Sequence, residues 1–341
     1  MSEEKKKRHN LYDFLTGGNK NRADVDLRSQ IKGFNTKNMF RLYFRRFRQI
    51  TTVNVMIILS NFPLVFLIIA ISGVVSHTTT APVHPLYSVA YGITTISGTT
   101  PATVFMSGLF METSVMYYPS VWTYVFYALG CLEFLTIGLS NVGIMYVMRN
   151  LVRGEPLFLP SDFFSSIKTN YKQGIAAGII DSILLVLCGF SVYSYWVNYG
   201  NYYILFYASI LMMVLYLMLR TFIYLMIVTF DLKFRHVIKN SLSFTILAFG
   251  RHFLALLGGL LLCLLFYALS VTVFIPIGVI AFLVFIPATV MFFTTYVSYW
   301  RVNDIMIEPY YQKHPNERPK IESEGEVYTG ETDDPGDEPL E

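Results

Sequence analysis

Six stretches of twenty or more residues, almost free of charge, divide this chain, and they set what it can fold into. A helix rising 1.5 Å per residue needs roughly 20 apolar residues to cross the hydrocarbon of a bilayer. Residues 50–75 meet that condition with no charge at all, and 121–148 meet it with Glu133 as the single exception. Residues 174–196 carry only Asp181, and 202–230 carry only Arg220. The stretches 253–275 and 276–299 are uncharged and meet at Pro276. A re-entrant hairpin over 253–299 has the same composition, but two passes fit the length better. Tyr and Trp crowd several of these ends, as interfacial belts require. The expected fold is an all-α, polytopic membrane bundle of about six transmembrane helices.

Composition agrees. Charged residues are 14% of the chain and apolar ones 54%, against about 25% charged in an ordinary soluble domain. Cys131, Cys188 and Cys263 fall inside apolar runs without metal spacing, and read as small core residues.

The cations orient the bundle. Of 26 Lys and Arg, 13 lie in residues 1–49, and 149–173, 231–252 and 300–341 hold four each. The connections 76–120 and 197–201 and the turn near 276 hold none. Short loops rich in Lys and Arg stay in the cytoplasm, so both termini are expected there.

Three parts flank or interrupt the spans. In 38–49, Phe40, Tyr43, Phe44 and Phe47 share a helical face opposite Arg41, Arg45 and Arg48. Such a helix suits the headgroup region, where it meets anionic lipid. Residues 76–120 form a long outside loop whose single charge is Glu112, read as a lid or a short interfacial helix. Its His77, His84 and Glu112 lack the spacing of a metal site. The tail 301–341 turns acidic from 322 and is expected to be disordered and cytoplasmic.

Charges inside spans are costly, about 3 kcal/mol on insertion scales, and usually face a partner. At 1.5 Å per residue, Arg220 and Asp181 come to similar depths, roughly 6 Å from the midplane, with Glu133 near it. A polar network of Glu133, Asp181 and Arg220 is therefore expected, either fixing helix register or lining a solute path. Thr136 and Ser140 continue the Glu133 face, while Asn54 and Asn61 put two amides on one face of the first span. The connection 149–173 pairs Arg149, Arg153, Glu155 and Asp162 with a helix capped at Ser161. These four charges are candidates for docking a cytoplasmic partner, or for shaping the loop through their own ion pairs.

No phosphate loop, HExxH or nucleophile triad is present, so a non-enzyme without cofactor or metal is expected. The basic amino terminus is explained by topology, without nucleic acid.

The stretch 136–174 (TIGLSNVGIMYVMRNLVRGEPLFLPSDFFSSIKTNYKQG) resembles the YesL-like family of bacterial membrane proteins, domain of unknown function 624. The matching positions include Thr136, Ile137, Gly138, Arg149, Arg153, Gly154, Glu155, Asp162, Phe163, Phe164, Asn170 and Gln173. Residues 228–252, with Phe230, Asp231, Lys239 and Asn240, match as well, and Asn61–Leu64 match more weakly. Roughly seventy residues separate Pro63 from Thr136 where the family has a short connection. The resemblance implies a multi-pass protein of a bacterial cytoplasmic membrane. Members are often encoded beside carbohydrate uptake and degradation genes, which implies an accessory or regulatory component that meets sugar-transporter or sensor subunits. The alternative is a small solute transporter or channel, and either one is compatible with a homo-oligomer.

Overall fold

The computed structural model describes residues 33–273 and 275–317. Most of the basic amino-terminal segment and all of the acidic tail from 322 lie outside the described residues. Two compact units divide at residue 301. The second contains a π-helical turn, Asn303–Ile307, and a short helix, Glu308–Lys313, where Tyr310 stacks on His314.

The first unit opens with α1 (Thr36–Arg45), started by Asn35, whose side chain accepts from the Lys37 N–H. The chain breaks at Arg46 and continues as α2 (Phe47–Ser60), so the amphipathic stretch 38–49 is divided between two helices. Its aromatic face is also shared. Tyr43 packs on Phe292 and Phe293, and Phe47 stacks on Phe285, while Phe44 stays exposed.

A 58° bend separates α2 from α3 (Pro63–Ile71), and the pair together has the length and composition of one broken span or of a re-entrant loop. Proline at the first position of α3 has no N–H to continue the ladder. Beside the bend the Asn61 side chain donates its amide to the Ile57 carbonyl at 2.7 Å.

Outside the spans, β1 (His77–Pro82) pairs antiparallel with β2 (Thr113–Tyr118), His77 opposite Tyr118. Between them stand α4 (Tyr87–Ser97) and α5 (Pro101–Phe110), the latter begun by a Thr100–Thr103 capping box. The expected lid is thus a two-stranded ribbon ending in two short helices. The β-branched and aromatic residues of 113–118 explain the strand. His84 accepts the Leu86 N–H and packs on Phe110, and His77 packs on Tyr118.

Next come α6 (Val121–Gly130), α7 (Glu133–Arg153), α8 (Leu159–Val197), α9 (Tyr199–Thr229), α10 (Phe234–Leu247), α11 (Phe249–Val273) and α12 (Ile275–Val302). Among the described residues five helices, with α6 and α7 counted as one, are long and apolar enough to cross a membrane, or six if the bent pair is one span. The two halves of 253–299 are separate helices, each of that length. The connection expected over 149–173 is shorter than the sequence suggested. α8 already begins at Leu159 and runs through the span, interrupted only at Asn170, whose φ of −111° and ψ of 17° are non-helical.

Packing is concentrated at one end. Buried residues gather in 138–152 of α7, 216–228 of α9 and 286–300 of α12, all near the basic connections. Close contact between α7 and α8 depends on glycine. A Cβ added to Gly138 would lie 2.0 Å from the Gly174 carbonyl oxygen, and one added to Gly178 would lie 2.6 Å from the Gly138 Cα. Only small residues permit that approach. The cysteines were expected in the core and are not there. Cys131 is exposed and the other two half-exposed, so they face outward.

Candidate functional site

The intramembrane charges resolve into two separate arrangements. Asp181 of α8 is 4% exposed, and both of its carboxylate oxygens accept from the Arg220 Nε at 2.8 Å. The hydroxyls of Tyr216 and Tyr224 donate to the same carboxylate, Tyr224 at 2.8 Å. Tyr216, Arg220 and Tyr224 are four apart, so one face of α9 delivers all three groups. That spacing was readable in the sequence, and the two tyrosines were missed because their apolar rings fit a span without further explanation.

Glu133 is held elsewhere. It accepts from the Thr136 hydroxyl of its own helix at 3.3 Å, near Leu64 and the bend of the first span. Ser140, one turn on, bonds to Ser60 at 2.6 Å and receives the Asn61 amide. Asn54 accepts the Ala288 N–H at 2.7 Å, next to Pro287 inside α12. The amides therefore join helices, and Asp181 with Arg220 forms a cluster without Glu133.

On the basic side, the four loop charges bond locally. Arg149 is buried, donates to the Asn150 side chain at 3.0 and 3.2 Å and to the Val228 carbonyl, and lies over the Tyr146 ring. Arg153 pairs with Glu155 at 2.8 Å across Gly154, whose φ of 71° is a left-handed helix stop that glycine adopts without strain. Arg46 donates to the carbonyls of Gly154 and Glu155. Asp162, and not Ser161, closes the start of α8 by accepting the Phe158 N–H at 2.8 Å. What the end of this ordered loop and the first turns of α8 turn outward is aromatic, with Phe158 and Phe164 both about two-thirds exposed.

Beside the loop lies a cleft of about 810 Å³ between the interrupted part of α8 and the end of α9. Its wall includes Ser166, Asn170 and Gln173 from α8, with Thr229, Phe230 and Asp231 from the other side. At the interruption, the Asn170 side chain donates to the Ser166 carbonyl at 3.1 Å. Gln173 donates its amide to the Leu232 carbonyl at 2.8 Å, bracing the far wall. Three buried polar atoms of this wall have no protein partner: Ser166 Oγ, Gln173 Oε1 and Thr229 Oγ1. Sequence reasoning gave Asn170 and Gln173 only as part of a resemblance. The cleft itself depends on the break in α8, which no proline or glycine announces.

Residues 116–195 match the family model described as "Protein of unknown function, DUF624". The matched segment contains α6, α7 and most of α8, and with them the glycine contact, Asp181 and the α8 wall of the cleft. No curated protein and no solved structure matches the chain. The resemblance read from 136–174 is borne out on that segment.

Proposed function

We propose that this chain, whose residues 116–195 match the DUF624 family model, is a non-catalytic accessory or regulatory membrane component of carbohydrate uptake or sensing. Its basic side is the cytoplasmic side, as the Lys and Arg distribution requires, and docking occurs there. The carrying observation is the ordered loop that satisfies its own charges through Arg149, Arg153–Glu155 and Asp162, yet exposes Phe158 and Phe164. Rigid, exposed aromatic residues beside a fixed scaffold are the usual anchors of a protein interface. The carbohydrate setting comes from the family resemblance. Solute passage through the spans is disfavoured because the Asp181 carboxylate is buried and its acceptors are taken by Arg220, Tyr216 and Tyr224. Anionic lipid would be met by the basic residues of α1.

Affinity purification from native membranes in mild detergent tests the reading. Uptake-system or sensor subunits should co-purify with the tagged chain. They should be lost with a Phe158→Ser/Phe164→Ser double variant that keeps the wild-type melting temperature. Recovery of the chain alone, or partners retained by the double variant, would overturn it.

A further inference from the structure

We propose that the α4–α5 hairpin inserts into the hydrocarbon of the bilayer leaflet on the side away from the basic connections. It lies at the other end of the spans from the docking loop, and its role is independent of docking.

The hairpin is built the reverse of a water-facing unit. The buried residues of its two helices are an alanine and a threonine, Ala90 and Thr103. Outward it turns Val89, Ile93 and Ile96 from α4, and Val104, Phe105 and Leu109 from α5. Ile96 is 88% exposed and Phe105 68%. In water, side chains of this kind are driven inward. In hydrocarbon nothing drives them in, and small residues are what let two helices approach.

Charge decides what covers this surface. From Pro85 to Met111 the chain holds no Asp, Glu, Lys, Arg or His. A protein interface sets an apolar centre within a polar rim, and the hairpin has no charged rim. A helix held at anionic headgroups needs Lys or Arg on its polar face, and these are missing too. Acyl chains require neither. The ionisable groups flanking this stretch, His84 and Glu112, stand at the base, where the Val83 N–H donates to the Glu112 carbonyl at 3.1 Å.

Bonding and length agree with hydrocarbon, where polar groups must be paired internally. Thr94, Thr95 and Ser107 donate to carbonyls of their own helices at 2.7 to 3.0 Å. At the turn Gly98 takes a φ of 67°. There Thr103 Oγ1 donates to the Gly98 carbonyl and accepts the Thr100 N–H, both at 2.8 Å. The 11 and 10 residues of the helices rise about 16 and 15 Å, close to one leaflet of a core roughly 30 Å thick. The ribbon is rooted where the Ser120 hydroxyl donates to the Val75 carbonyl, at the far end of the Val121–Arg153 span from Arg149 and Arg153. Its six pairs reach about 20 Å, which keeps the hairpin beside the bilayer.

The test uses the full chain, one copy per lipid nanodisc. The unsubstituted protein is photolysed with a phosphatidylcholine whose acyl chain carries a diazirine, and labelled peptides are identified. Peptides from 86–110 should be labelled within about twofold of those from α11, whose Leu261 and Leu264 are exposed within a span. Val89→Cys and Phe105→Cys then each carry a bimane, with Cys131, Cys188 and Cys263 changed to Ala. A lipid with a doxyl group on its acyl chain should quench either bimane by about half or more, and aqueous iodide by less than about a tenth. Unlabelled 86–110 peptides, or quenching by iodide and not by lipid, place the hairpin in water and overturn the proposal. Quenching by neither means that the protein covers its own hairpin, which also overturns it. Labelling that disappears when two copies share a disc makes a second copy the partner in place of lipid. Photolabelling needs no substitution, so its outcome stands even if a cysteine variant fails to fold.

Discussion

One helix carries two opposite solutions to the burial of polar groups. Beyond Asn170, α8 locks onto its neighbours through Gly174 and Gly178, then presents Asp181 to an arginine and two tyrosines from one face of α9. Before and around Asn170, the same helix lines an open cleft whose Ser166 and Gln173 oxygens have no protein partner. Charge alone would have ranked the Asp181 region as the functional one. Satisfaction separates them. A carboxylate whose acceptors are all used is a fastener, whereas buried oxygens left unpaired do not hold one helix to another.

The comparison breaks most directly at Arg220. Arg220→Met leaves the Asp181 carboxylate buried between two hydroxyls without its counter-charge, and should cost about 3–5 kcal/mol. Denaturant unfolding in detergent measures it. The double variant with Asp181→Leu should recover a large part, because it removes the stranded charge. If the double variant is no more stable than Arg220→Met alone, the cluster is not a self-contained fastener and the contrast with the cleft fails.

The glycine contact sharpens the boundary between the two halves. Gly178→Ala puts a methyl 2.6 Å from backbone atoms of Gly138, with no flexible side chain to yield. Separation of α7 from α8 should cost about 1–3 kcal/mol, read as a lower midpoint in the same unfolding assay. A neutral result would mean that the helices are held apart from one another in the membrane and that α8 is not anchored there.

The sequence carried these two halves unequally. Apolar run length and the Lys and Arg partition make the spans legible, since a bilayer imposes a length and leaves few alternatives. The depth argument brought Asp181 to Arg220 because both helices start from known interfaces. It failed for Glu133, whose partner is the Thr136 hydroxyl on its own helix. A bond one turn along a helix competes with one across helices, and counting depth sees only the second. The ribbon at 77–82 and 113–118 escaped for a related reason, since its strands pair across some thirty intervening residues. The cleft was the least legible part. It needs the break at Asn170, and asparagine inside a helical pattern is too common to mark one.

The smallest expected effect also separates the two halves, through salt. Arg153–Glu155 and Arg220–Asp181 are both ion pairs at 2.8 Å, yet they differ in surroundings. The first lies on the basic side with its side chains 31% and 18% exposed, so counter-ions and water reach it. Arg153→Gln should therefore cost only about 0.2–1 kcal/mol, and less still in high salt. The Asp181 pair sits where mobile ions do not enter, and the penalty of Arg220→Met should persist unchanged from low to high salt. Unfolding of both variants across a salt series gives two slopes, one falling toward zero and one flat. Two falling slopes would mean that water reaches Asp181, and α8 would then be open along both halves.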